Sequence, residues 1–255
     1  MKISSATVAI VSGGASGLGM AVVKRLALLG ANVTIFDQNE IQGKELADEI
    51  SGHYVKVNIA DYNSVSEGLK TARARFGSER ICVNCAGIAT AEKTVSKRKG
   101  HSKELFEQIL SVNLGGTFNL ATQSALEMSV LPESNENSER GIIVNTASIA
   151  AYEGQIGQLA YSASKAGVLG MTLPMARDLA QYGIRVMTIA PGIFSTPMVD
   201  RLPDSVQDNL ARSIPFPTRL GRSQEFADLV IHIIENPMLN GEIIRLDGAV
   251  RLQPK

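Results

Sequence analysis

Short apolar-rich runs alternate along this chain with longer stretches in which apolar residues recur every three or four positions. The runs are Val8–Val11, Val33–Phe36, Tyr54–Ile59, Ile81–Asn84, Ile142–Thr146, Arg185–Ile189 and Glu242–Leu246. Such runs predict strands covered on both faces. After the first, Leu18, Ala21, Val22, Leu26 and Leu29 stand at helical spacing and predict an amphipathic helix. Strand–helix alternation predicts an α/β fold: a parallel sheet with right-handed crossovers and helices on both faces. No internal repeat or long linker marks a boundary, so residues 1–255 are expected to form one domain.

Between these elements, Pro132–Arg140 is polar and acidic and reads as solvated surface. Ala91–Lys103 carries Lys93, Lys97, Arg98, Lys99 and Lys103 and reads as a basic loop, either simply solvated or facing an anionic ligand. The segment from Gly192 to Arg222 holds four prolines with Met198, Leu202, Ile214 and Phe216. It is expected to cover a substrate as a mobile lid. Helices near Glu104–Val130 and Ala160–Gln181 carry apolar residues on more than one face, which suggests assembly with further copies.

Bulk composition narrows the function classes. With 25 basic and 25 acidic residues, no excess of positive charge speaks for nucleic acid. No apolar run reaches the ~18 residues of a membrane span. Only Met1–Ser5 precede the first strand, so a cytoplasmic protein is expected. Cys82 and Cys85 form C-x-x-C inside an apolar strand, and the three histidines lack ligand spacing. Packing cysteines and no metal are the expectation.

The first strand runs into Ser12-Gly13-Gly14-Ala15-Ser16-Gly17-Leu18-Gly19 and then a helix. A glycine-rich turn in that place aims backbone N–H groups and a helix N-terminus at a pyrophosphate. Asp37 ends the second strand, 18 positions after Gly19. That is close to the ~20 expected of an acid that accepts from an adenosine ribose. A carboxylate there repels a 2′-phosphate, and no Lys or Arg occurs in Gly14–Ser16 or Gln38–Ile41 to counter it. NAD is therefore favoured over NADP; the other role open to Asp37 is capping the strand–helix turn.

Tyr161 and Lys165 in Y-S-A-S-K fall one helical turn apart on one face. A phenol beside an ammonium can act as proton donor and acceptor although it ordinarily titrates near pH ~10. Ser148, 13 positions earlier at the end of an apolar strand, can aim a hydroxyl at the same point. Together these groups suit moving a proton on and off an alcohol oxygen.

Ser12-Gly13-x-x-x-Gly17-x-Gly19, Asn84-Cys85-Ala86-Gly87, Val112-Asn113, the Ser148–Tyr161–Lys165 set, Pro191-Gly192 and Thr196 occur in this order. Through them the chain resembles the short-chain dehydrogenase/reductase family over essentially its whole length. Ser12 stands where the family usually has Thr, and Asn58 where it usually has Asp. The resemblance implies a Rossmann-type, doubly wound seven-stranded sheet in the order 3-2-1-4-5-6-7. It implies NAD contacts from Ser12, Gly13, Ser16, Gly17, Leu18, Gly19, Asp37, Gln38, Asn58, Ile59, Cys85, Ala86, Gly87, Tyr161, Lys165, Pro191, Gly192, Ile193, Phe194 and Thr196. It also implies catalysis by Asn113, Ser148, Tyr161 and Lys165, with Asn113 interrupting its helix and seating a water. Lys165 would lower the Tyr161 pKa and hold the nicotinamide ribose.

Within the family, Thr146–Gln158, Met187–Gly192, Pro215–Gly221 and Glu235–Glu242 resemble the type 2 3-hydroxyacyl-CoA dehydrogenases. This implies 3-hydroxyacyl thioester substrates, steroid alcohols as side substrates, and a homotetramer. Gln155 and Gln158 are candidate substrate contacts, a structural role in the turn being equally open to them. By the same analogy the basic loop meets the phosphates of coenzyme A. A 3-oxoacyl carrier-protein reductase and a scaffold subunit with a vestigial site are the competing readings; Asp37 argues against the first and the intact Ser–Tyr–Lys set against the second.

Overall fold

The structure is a computed structural model that describes residues 1–255 apart from Glu136, Met198, Asp200, Arg201, Leu202 and Lys255. In chain order the sheet strands are β1 (Val8–Ser12), β2 (Asn32–Asp37), β3 (His53–Lys56), β4 (Ile81–Asn84), β7 (Gly141–Thr146), β8 (Ile184–Pro191) and β9 (Ile243–Leu246). Two further short strands, β5 (Val95–Ser96) and β6 (Lys99–Gly100), pair with each other as an antiparallel ribbon. The main sheet is parallel, in the order β3-β2-β1-β4-β7-β8-β9. Counted over sheet strands alone, that is the expected 3-2-1-4-5-6-7.

Alternate residues of β1 feed the two faces, as a pleated strand requires. Ala9 and Val11 join the layer under α1 (Gly17–Leu28) and α8 (Ser223–Glu235), where Val22, Leu26, Phe226 and Val230 are fully buried. Ile10 faces the other layer, with Phe36, Leu69, Leu120 and Met128, under α3 (Tyr62–Phe76) and α5 (Gly116–Met128). Each such side chain contributes about 1.5–3 kcal/mol by leaving water. Cys82 lies in this second layer and Cys85 packs against the first. Burial pushes the Cys82 and Cys85 thiols up to about 12 and about 11, as packing cysteines require.

Three expectations need correction. The third strand stops at Lys56, not Ile59, because the chain turns there. Asn58 Oδ1 accepts from Ala60 N at 3.2 Å, and Asp61 caps α3 by accepting from Asn63 and Ser64 N–H. The basic loop is partly the β5–β6 ribbon, with Lys97 and Arg98 at positive φ in its tip. The helical stretch near Glu104–Val130 is α4 (Lys103–Leu110) and α5, with the expected interruption at Asn113 taking the form of a π-helical turn at Ser111–Gly115. Pro132–Arg140 is not plain solvated surface. Glu139 is 3% exposed and pairs with buried Arg185 at 2.8 Å. Arg185 also donates to the carbonyls of Ile233, Ile234, Asn236 and Leu239, closing the end of α8. A buried carboxylate needs such a partner.

Candidate active site

The parallel sheet delivers the carboxyl ends of β1, β4, β7 and β8 to one edge, where a cleft of about 620 Å³ opens. Its lining runs from Ser12, Gly13 and Asp37 to Ser148, Tyr161, Lys165 and Leu252.

At one end, the glycine turn packs too tightly for side chains. A Cβ on Gly19 would lie 2.2 Å from Gly13 O, and one on Gly13 (φ +62°) would lie 2.7 Å from Ala86. Ser16, the N-cap of α1, makes no side-chain capping bond, whereas Asp61 caps α3 fully. Ser16 thus leaves the first N–H groups of α1 without its cap beside the cleft, an anion-binding arrangement. Asp37 accepts from Ala15 N and Asn39 N at 3.0 Å each, one bond per carboxylate oxygen. Each oxygen keeps acceptor capacity, so the hydroxyl pair of a ribose fits it. A dinucleotide with an unphosphorylated ribose fits these residues.

At the other end, α6 (Leu159–Ala180) puts Tyr161 and Lys165 on one face. The Lys165 ammonium lies 5.9 Å from the Tyr161 ring centroid and donates to Thr146 O at 2.7 Å. Ser148 leaves β7 as the N-cap of a short 3-10 turn (Ile149–Ala151), and its hydroxyl accepts from Ala150 N at 3.1 Å. Burial pulls the Lys165 ammonium down to about 8. It pushes the Tyr161 phenol up, the Ser148 hydroxyl offsetting part of this. The expected lowering of the phenol by Lys165 does not appear here: burial dominates, and the one opposing contribution comes from Ser148.

All but two of the sequence-derived site residues line the cleft. Asn113 lies beneath it, fully buried in the π-helical turn. Its Oδ1 accepts from Ile88 N at 2.8 Å, and its Nδ2 donates to Ile88 O and Ser164 Oγ. Its main-chain oxygen accepts from Thr117 Oγ1 at 2.7 Å. It braces the end of β4 against α6. Asn58 is engaged with Gln38 and Ala60, and Val57 and Ile59 take its place on the wall. Gln158 Oε1 accepts from Gln155 N at 3.0 Å, and Gln155 Nε2 donates to Gln253 O at 2.9 Å, so both also hold the turn together.

Of the covering segment, Val199 and Leu210 reach the cleft and Ile214 is buried behind it. Phe216 is 82% exposed, off the cleft. Met198 and Leu202 lie outside the described residues. Sequence reasoning missed Thr146, whose carbonyl holds Lys165, and Leu252 near the end of the chain. Thr146 opens the Thr146–Gln158 stretch without a role of its own there, and Leu252 carries no motif signal. No group of His, Cys, Asp or Glu suited to a metal ion occurs among the described residues, and no helix among them is long and apolar enough to cross a membrane.

A family model described as short chain dehydrogenase matches residues 7–207. The 3-hydroxyacyl-CoA dehydrogenase type-2 of Drosophila melanogaster is 52% identical over 251 residues, covering 97% of this chain and 98% of that one. Its Homo sapiens namesake is 50% identical, covering 97% and 96%. The crystal structure of 3-hydroxyacyl-CoA dehydrogenase type-2 from Mycobacterium avium superposes with a TM-score of 0.93 at 43% identity, covering 98% of this chain and 97% of that one.

Proposed function

Since this chain belongs to the short-chain dehydrogenase family, we propose that it is an NAD-dependent oxidoreductase interconverting 3-hydroxyacyl-CoA and 3-oxoacyl-CoA. The observation that carries the reading is the convergence of Ser148, Tyr161 and Lys165 on the cleft that also holds Asp37 and the glycine turn. The substrate class follows the relatives' names and their near-complete coverage. The choice of NAD rests on Asp37, whose carboxylate would repel a 2′-phosphate.

Bound nicotinamide supplies the hydride exchange, and the chain's own residues handle the proton and the charge. In the reducing direction the Tyr161 phenol donates its proton to the substrate oxygen; in the oxidising direction the phenolate takes it back. Burial favours the phenol, the form that donates the proton in reduction. Ser148 hydrogen-bonds the same oxygen and stabilises the charge that grows on it. Lys165, fixed by Thr146 O, supplies the positive charge beneath the phenol and donors for a ribose. Asn113 holds β4 and α6 in register.

The basic ribbon stands beside the substrate turn, since Glu92 N donates to Gly157 O at 2.8 Å. Its Lys and Arg side chains would meet the phosphates of coenzyme A. The 192–222 segment would close over bound substrate. A cytoplasmic homotetramer belongs to the same reading; exposed Phe118 and Leu126 on α5 and Leu159 and Leu173 on α6 support the assembly, which sedimentation would measure.

Initial rates with 3-oxoacyl-CoA esters, using NADH and then NADPH, test the reading directly. Turnover with NADH, and its loss by at least about a thousandfold in Tyr161→Phe with dinucleotide binding retained, is the expected result. Strong residual activity in that variant would remove Tyr161 from the acid–base role.

A further inference from the structure

Of residues 250–254, Leu252 reaches the cleft. These residues follow β9, across the sheet from β2 and its Asp37. Leu252 lines the cleft with Ile149 and Leu210, and packs on the cluster of Ile149, Ile214 and Val250. Ile149 directly follows Ser148 in the chain, so this wall begins beside the reacting centre.

Polar bonds, not sheet pairing, set where Leu252 lies. Its N–H donates to Glu153 Oε2 at 3.0 Å. Glu153 is anchored by Arg245 Nη1 at 2.8 Å and faces Arg251 Nε at 3.4 Å. Ile156 N donates to Pro254 O at 3.1 Å, beside the Gln155–Gln253 bond. The turn that brings Gln155 and Gln158 to the cleft and the segment that brings Leu252 are therefore bound together.

We propose that Leu252 is a specificity-determining residue that limits the acyl chain this cleft accepts, and that Glu153 is its positioning residue. The proposal rests on the acyl-CoA reading above. Apolar walls discriminate between chains through the methylene groups they admit or exclude. Leu→Ala removes about three carbons from the wall, and Leu→Phe adds to it.

Rates of NADH-dependent reduction would be measured for straight-chain 3-oxoacyl-CoA esters from C4 to C16. Calorimetry would give affinities for saturated acyl-CoA esters of the same lengths, and thermal melting would check folding. Leu252→Ala should raise kcat/KM for long over short esters by about tenfold or more, and Leu252→Phe should lower it. The affinity ladder should shift the same way. Glu153→Ala should move the profile as Leu252→Ala does, and Glu153→Gln, which still accepts from the Leu252 N–H, should restore it. Folded Leu252 variants whose rate and affinity profiles both match the wild type would overturn the proposal. A wild type that reduces none of the esters would overturn the acyl-CoA reading itself, and this proposal with it.

Discussion

Replacing Lys165 by Met should abolish turnover yet leave the fold at least as stable at pH 7. Lys165 is 4% exposed, and its Nζ donates to Thr146 O at 2.7 Å. Burial lowers its pKa from 10.5 to about 8. At 1.36 kcal/mol for each factor of ten, keeping the charge in the folded cleft costs about 3 kcal/mol. Met fills similar space without that charge but leaves Thr146 O without its donor, a loss of about 1–3 kcal/mol. The net expectation at pH 7 is a gain of about 0–2 kcal/mol. The sign of the pH dependence follows from the depressed folded-state value. The unfolded chain holds this proton to higher pH than the folded one, so the penalty is constant well below pH 8 and relaxes as pH rises towards 10.5. Cys82 and Cys85 act in the opposite sense above pH 9, where their thiols ionise in the unfolded chain first. Cys82 does so in both proteins, and up to pH 9 the folded Cys85 thiol stays protonated with or without the Lys165 charge, so the difference up to that pH isolates Lys165. Urea unfolding at pH 7, 8 and 9 should show the advantage of the variant shrinking by about 1 kcal/mol between pH 8 and 9. A variant less stable than wild type by more than about 2 kcal/mol at pH 7, or a difference independent of pH, would refute the reasoning.

Other perturbations separate the two ends of the cleft. In the reducing direction, kcat/KM should fall as pH rises through about 8, where Lys165 loses its charge. In Lys165→Arg the guanidinium stays charged, and the falling limb should move upward; a wild-type profile flat to pH 9.5 would exclude this account. Asp37→Ala should weaken NADH use by about ten- to a hundredfold and erode the preference over NADPH, read from the ratio of the two kcat/KM values. An unchanged ratio would take Asp37 out of cofactor choice. Gly19→Ala places a Cβ 2.2 Å from Gly13 O, so dinucleotide affinity measured by fluorescence should fall by at least about tenfold; wild-type affinity would show that the turn can move aside.

The five inner sheet strands could be read from the chain because both their faces are buried, which leaves apolar runs that few other structures produce; the edge strands β3 and β9 are only half-buried. The dinucleotide turn was legible for a similar reason: strand, glycines and helix are contiguous, and steric exclusion at Gly13 and Gly19 leaves few alternatives. Tyr161 and Lys165 were legible because helical geometry alone puts them together. The ribbon at Val95–Gly100 was not, since its strands are two residues each and both are exposed.

What composition could not show were pairings between distant segments. Glu139 sits in a polar stretch that reads as surface, and tertiary contacts, among them the approach of Arg185 from β8, make it a buried partner. Asn113 and Asn58 belong by pattern to the site, yet Asn113 spends its amide on Ile88 and Ser164 and Asn58 its carbonyl on Gln38 and Ala60. Leu252 reaches the cleft through contacts with a distant segment, in which Glu153, almost a hundred positions earlier, accepts its N–H. By itself, then, the sequence determined the layered parallel fold, the dinucleotide turn and the tyrosine–lysine pair, each written in contiguous residues or a single repeat. Tertiary structure decided the protonation balance of that pair and the shape of the apolar wall. Those depend on which groups lose water and which far-apart segments exchange hydrogen bonds, and neither is encoded in local spacing.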